Sequence, residues 1–175
     1  QSFRHIINTA GIMRLPDYAF DMVRMGIGLY GLSPIPEEIP ELREIGSLRT
    51  RITQVKPWPK GSSIGYGRSE RMTRDSLIAT VPIGYADGIP RALSNGKGHF
   101  LVRGQRVPIV GRVCMDMLML DVTDVPEVAA GDEVVCFGQQ GESQLSITEL
   151  AEAAGTIAYE ILVRISPRVR RVFVH

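Results

Sequence analysis

From Leu48 onward the chain is a succession of short apolar runs, each closed by a turn signal. That punctuation narrows the possible folds more than any other feature. The runs are "LRTRITQV" (Leu48–Val55), "SLIATVPI" (Ser76–Ile83), "HFLVRG" (His99–Gly104), "RVPIVGRV" (Arg106–Val113), "MLMLDVT" (Met117–Thr123) and "DEVVCFG" (Asp132–Gly138). Pro59-Lys60-Gly61, Ser94–Gly98 and Ala130-Gly131-Asp132 mark turns between them. Short strands at such spacing predict a small barrel or sandwich. Two short helices interrupt the pattern. In "SITELAEAAG", Ser146 and Glu149 spell a capping box and Gly155 a helix stop. Thr156 then caps "IAYEILVRI", which Pro167 ends.

The first residues follow a different grammar. "FRHIIN" reads as a strand, "LPDYAFDMV" as a helix with Pro16 in its first turn, and "VRMGIGLYG" as a second strand ending at Gly31. Strand–helix–strand is the unit of a parallel sheet, and one such unit cannot cover both its faces, so it reads as the end of something larger. "PIPEEIPELREIG" (Pro34–Gly46) reads as a linker. The chain opens Gln-Ser-Phe, without methionine, which also predicts a piece of a longer protein.

Composition excludes several classes. A net charge of +1 over 175 residues argues neither for a nucleic-acid partner nor for an acidic surface. No run of 18 apolar residues offers a membrane span, and the opening residues lack the pattern of a secretory leader. Cys114 and Cys136 fit no metal spacing or disulfide framework and read as reduced core residues of a cytoplasmic protein. The three histidines, His5, His99 and His175, are too scattered for a metal site. All but three of the 20 basic residues are arginines, donors suited to carboxylates and phosphates.

Six stretches carry more chemistry than folding requires. In "SSIGYGRS", Tyr66 stands between Gly65 and Gly67, which strip away packing partners and permit φ > 0. The segment reads either as a plain turn or as a mount for a working phenol. "HIINTAG" (His5–Gly11) places Asn8 and Thr9 at a strand end, as helix caps or as part of a ligand loop. "VRMGIG" sets Arg24 beside Gly26 and Gly28, where the guanidinium needs a carboxylate or a ligand. "PIGYADGIPR" carries Tyr85, Asp87 and Arg91, and "VGRVCMDM" carries Arg112 and Asp116, which are either an ion pair at a bulge or part of a site. "TIAYE" puts Tyr159 in the first turn of a helix, where free N–H groups favour an anion. No serine or cysteine triad, paired-carboxylate motif or P-loop appears. The set fits a site that binds an anion and moves a proton.

In order and spacing, "HIINTAGI", "DMVRMGIGLYG", "SIGYGRS", "ATVPIGYADGIPR", "VPIVGRVCMD" and "TIAYEILVRIS" resemble the C-terminal portion of the bacterial alanine racemases, over essentially the whole chain. That resemblance implies the end of a (β/α)8 barrel over residues 1–31, a linker over 32–44 and a mainly β, barrel-like domain over 45–175. It implies a pyridoxal 5′-phosphate cofactor, alanine as substrate, D-alanine supply to the peptidoglycan of the cell wall, and a homodimer. By the same resemblance Thr9, Gly26, Ile27 and Tyr159 would hold the cofactor's phosphate. Arg24 would face its pyridine nitrogen, with His5 behind. Tyr66 would be the acid/base that takes the α-proton of L-alanine in the partner subunit's site. The Met115 N–H would hold the substrate carboxylate, and Tyr85, Arg91, Arg112, Asp116 and Ile157 would line or support the approach path.

The family's second base is a lysine that carries the cofactor covalently. Lys56, next to Pro57, and Lys60 and Lys97, in glycine turns, do not match its motif. The chain by itself is therefore expected to be inactive. Thr9 stands where serine is more usual, and "ISPRVRR" departs from a form with a later proline. A non-catalytic β-barrel binding module and a racemase of broader specificity are the alternative readings.

Overall fold

The computed structural model describes residues 2–35 and 42–174, and the chain divides into two units, Gln1–Gly46 and Ser47–His175. Positions 36–41 of the expected linker lie outside the described residues. In the first unit the strand–helix–strand expectation is met only in outline. Asn8 caps helix α1 (Thr9–Arg14) by accepting a 3.2 Å hydrogen bond from the Gly11 N–H. The expected strands meet in a single parallel bridge, Asn8 to Arg24. Phe3 and Ile6 of the first strand stand 79% and 62% exposed and only Ile7 of its apolar side chains is buried, too little to hold a longer ladder. The helix expected over "LPDYAFDMV" is a 3₁₀ turn, Pro16–Tyr18, because the left-handed φ of 49° at Phe20 stops it. "VRMGIGLYG" ends in a second 3₁₀ turn, Ile27–Tyr30, closed by Gly31 at φ 74°.

The second unit holds ten strands among the described residues: β1 (Leu48–Arg51), β2 (Gln54–Trp58), β3 (Ser63–Ile64), β4 (Glu70–Arg71), β5 (Ser76–Val81), β6 (His99–Val102), β7 (Gln105–Val110), β8 (Leu118–Asp121), β9 (Glu133–Gln140) and β10 (Ser143–Leu145). One antiparallel sheet runs β1-β9-β6-β7-β8-β5-β2, with β10 also on β9; β3 and β4 form a separate hairpin. The two end strands of that path, β1 and β2, are consecutive in sequence. Ile52 still pairs with the β9 side, since its N–H donates to the Asp132 carbonyl at 2.9 Å. The next N–H, at Thr53, donates to Thr80 beyond the other edge, also at 2.9 Å. A sheet whose edges are joined by one step of chain must curl upon itself, which is the barrel-like architecture expected.

Burial follows position in that sheet. Phe100, Leu101 and Val102 on β6 and Val134, Val135 and Cys136 on β9 are fully buried, whereas β2 at the path's end carries Lys56 and Pro57. Lysine and proline on an edge blunt pairing with other chains. A satellite cluster of Ile64, Met72, Ile78 and Val110, flanked by Trp58 and Met119, seats the β3–β4 hairpin on the sheet.

Helix α2 (Ile147–Ala154) starts as expected, with the Ser146 hydroxyl accepting from the Glu149 N–H at 3.0 Å. The Glu149 carboxylate does not reach back to complete a capping box; it takes a bidentate contact from Arg106. Gly155, left-handed at φ 70°, ends the helix. Helix α3 (Ala158–Arg164) is capped in position by Ile157 rather than Thr156, whose hydroxyl bonds the Glu160 carboxylate.

Candidate active site

Tyr66 heads a 3₁₀ turn, Tyr66–Arg68, at the tip of the β3–β4 hairpin, and is 72% exposed. Gly65 sits at φ 78°, ψ 173°, a region essentially reserved for glycine, and Gly67 at φ 68°, ψ 18°. The turn is anchored from below. The Glu70 carboxylate accepts the Gly111 N–H. A Cβ on Gly65 would lie 2.8 Å from the Arg112 backbone nitrogen, and one on Gly67 would lie 3.2 Å from Arg112 Nη1. Glycine here lets two backbones touch and brings the Arg112 guanidinium under the turn that carries the phenol.

Met115 and Asp116 form the tip of a tight reversal closed by the Cys114 N–H donating to the Met117 carbonyl at 3.0 Å. Beside it runs the turn after β5, where the N–H groups of Tyr85 and Ala86 donate to the carbonyls of Cys114 and Met115, each at 3.0 Å. Only glycine fits at position 84, since a Cβ there would lie 2.3 Å from the Cys114 oxygen. The Met115 N–H itself has no acceptor among the described residues, and Met115 is 54% exposed. An unused amide at an exposed tip can receive a carboxylate. Cys114, expected in the core, is only half-buried there, whereas Cys136 is buried, which pushes its thiol pKa well up.

The alternative of an Arg112–Asp116 ion pair is not what forms. Asp116 pairs instead with Arg168, whose Nη2 donates at 2.7 Å while its Nε donates to Asp87 at 2.7 Å. Asp87 Oδ2 also accepts the Gly84 N–H at 2.8 Å. Burial alone would raise the Asp87 pKa, but the hydrogen bonds from Arg168 and Gly84 outweigh it and hold the carboxyl below its ordinary value of 3.8. A depressed carboxyl stabilises the fold above its unfolded-state pKa, and that stability is lost as pH falls through the folded-state value. Melting temperatures taken from pH 6 down to pH 3 should therefore fall less steeply for Asp87→Asn than for the unsubstituted protein.

Tyr85 and Arg91 line an open hollow together with Gly88, Ile89 and Arg164. Tyr159 lies in the first turn of α3, next to the exposed Ile157. In the first unit, Thr9 is buried and its Oγ1 accepts the Gly26 N–H at 2.9 Å, leaving its own proton free to donate. The N–H groups of Ile27 and Gly28 have no acceptor among the described residues. A Cβ on Gly28 would lie 2.8 Å from the Thr9 methyl, so this close packing requires glycine. Arg24 Nη2 donates to the Ile6 carbonyl at 3.3 Å, and His5 is exposed. Free donors around a buried hydroxyl suit a phosphate. Among the described residues no cluster could hold a metal ion, no helix is long and apolar enough to cross a membrane, and Lys56, Lys60 and Lys97 are all exposed.

Thus the structure brings Thr9, Arg24, Gly26 and Ile27 together in one unit. In the other, the glycine turn that carries Tyr66 packs against Arg112, and the turns of Tyr85, Met115 and Asp116 meet around Asp87 and Arg168. Sequence reasoning singled out Asp87 only as part of the Asp-Gly turn, with no role, and did not single out Arg168 at all. Their signal was an arginine beside Pro167 and an aspartate in an Asp-Gly turn, each ordinary by itself.

Solved structures with this architecture define the class first: they are racemases. Over 99% of this chain and 45% of theirs, the alanine racemase of Bacillus anthracis, with bound L-Ala-P, superposes with a TM-score of 0.88 at 44% identity. That of Bartonella henselae, with covalently bound pyridoxal phosphate, gives 0.90 at 32% identity, covering 99% of this chain and 47% of that one. The family models described as the alanine racemase C-terminal and N-terminal domains match residues 45–173 and 1–34. The alanine racemase of Halothermothrix orenii is 49% identical over 172 residues, 97% of this chain and 45% of its own length. The chain belongs to the alanine racemase family and spans about half the length of the curated relatives it matches.

Proposed function

We propose that this chain is the C-terminal part of a pyridoxal-phosphate-dependent alanine racemase that interconverts L- and D-alanine, supplying D-alanine for peptidoglycan in the cytoplasm. The observation that carries the reading is the phenol of Tyr66, held out on a glycine-framed turn above the Arg112 guanidinium. Residues 1–31 are the end of the cofactor-binding barrel, 32–44 a linker and 45–175 the β domain. The protein acts as a homodimer, and Tyr66 is contributed to the partner subunit's site.

Thr9 and the free amides at Ile27 and Gly28 are donors fit for the cofactor's phosphate, and Tyr159 supplies a further hydroxyl. Arg24 is a permanent cation toward the pyridine nitrogen, with His5 beside it. When bound, the cofactor lowers the acidity barrier at the substrate's α-carbon, and a cationic neighbour at its nitrogen leaves more of the work to proton transfer. Tyr66 takes or returns the proton on one face of the substrate. The Met115 amide receives the substrate carboxylate, and Tyr85, Arg91, Arg112, Asp116 and Ile157 shape its approach. The proton on the opposite face belongs to a lysine that these residues do not provide, since Lys56, Lys60 and Lys97 are solvated surface groups.

The test is polarimetric. The intact protein with pyridoxal phosphate should bring L-alanine and D-alanine to the same racemic end point, while this chain with the same additions should not. Turnover by this chain at the rate of the intact protein would contradict the division of labour.

A further inference from the structure

The last residues of the chain make a strap across the candidate site. Arg171 ties the segment after α3 to itself, its guanidinium taking the carbonyls of Ile165, Ser166 and Val169 at 2.8, 2.6 and 2.7 Å. The Ser166 N–H bonds the Asp87 carbonyl at 3.1 Å, which fixes where Arg168 emerges. From there the guanidinium forks to two carboxylates on different loops. Asp87 is only 8% exposed and belongs to the turn of Tyr85; Asp116 is at the apex of the reversal that carries the Met115 amide.

The backbone bonds from Tyr85 and Ala86 hold the near side of that reversal, at the carbonyls of residues 114 and 115. The Asp116 side chain, on its far side, makes its one described hydrogen bond to Arg168. Without that bond the apex keeps only its two tethered carbonyls and the Cys114–Met117 closure, which leave it able to rock, and the direction of the Met115 N–H moves with it. An isolated surface ion pair contributes little. A planar fork that spans two loops, with one acceptor buried, restricts geometry in a way a single flexible cation cannot.

We infer that Arg168 is a positioning residue: forked between Asp87 and Asp116, it aims the Met115 amide at the substrate carboxylate. The inference rests on the reading of that amide as the carboxylate receiver.

The experiment uses the intact protein with its cofactor, alanine as substrate and propionate as a probe of the carboxylate pocket. Arg168→Met should raise both the KM for alanine and the dissociation constant of propionate by about tenfold, with kcat changed far less. Added guanidinium should restore part of the loss, and Arg168→Lys should recover less than half of it. Asp116→Asn, at a side chain 55% exposed, removes one arm without threatening the fold and should show the same split on a smaller scale. Unchanged constants in folded Arg168→Lys and Asp116→Asn would overturn the inference, even where Arg168→Met fails to fold. If propionate does not compete with alanine in the unsubstituted protein, it is the reading of Met115 that fails. If propionate competes and the variants leave its affinity unmoved, only the role of Arg168 fails.

Discussion

Tyr66→Phe in the intact protein should lower kcat by roughly 10²- to 10⁴-fold while leaving the melting temperature within a degree or two. The reason lies in what the residue does not do. With 72% of its surface exposed, Tyr66 contributes little to the core, and its hydroxyl makes no described hydrogen bond. Phenylalanine keeps the ring and removes only the proton-bearing oxygen, so a structural tyrosine would tolerate the change. A proton-transfer group would not, because no other titratable side chain shares its turn except Arg68, a permanent cation. Initial rates from both enantiomers, beside a thermal melt, check this. Near-normal rates would mark the phenol as surface filler.

Gly65→Ala should be nearly as damaging to activity, at about 10²-fold, and should also cost about 2 kcal/mol of stability. Its backbone, at φ 78° and ψ 173°, is a conformation alanine adopts only under strain. The new methyl would also lie 2.8 Å from the Arg112 nitrogen and 3.1 Å from the Gly111 Cα, both backbone atoms that cannot swing aside. The hairpin tip must therefore lift or twist, and Tyr66 moves with it. Gly67→Ala offers the contrast. Its nearest obstacle is the far end of the Arg112 side chain at 3.2 Å, which can yield, and its φ/ψ lies in the ordinary left-handed region. Urea titration together with initial rates should rank Gly65→Ala below Gly67→Ala in both properties. Equal effects would mean that the close approach to Gly111 and Arg112 does not set the turn.

Much of the second unit was legible because its strands obey local rules. The runs around Ser76, His99, Gln105 and Glu133 became β5, β6, β7 and β9 with shifts of a few residues at their ends. The run from Leu48 to Val55 hid a corner, because Ile52 and Thr53 continue its apolar and β-branched composition while the chain crosses from one sheet edge to the other. The β3–β4 hairpin was invisible: two-residue strands have no period to detect, and what seats them is the distant cluster of Ile78 and Val110. In the first unit, apolar runs that read as strands find only one parallel bridge among the described residues, so composition overstated the ladder. Among the site residues, Tyr66 announced itself through its two glycines. Arg168 could not, since its partners lie 81 and 52 residues away, and no local pattern records an ion pair of that span.

Hydrogen exchange at the substrate's α-carbon in D2O, followed by NMR in the Tyr66→Phe intact protein, probes the proposed role most directly. If the phenol serves the face that L-alanine presents, deuterium uptake from L-alanine should collapse while uptake from D-alanine persists. Equal, undiminished uptake from both enantiomers would remove Tyr66 from the reaction.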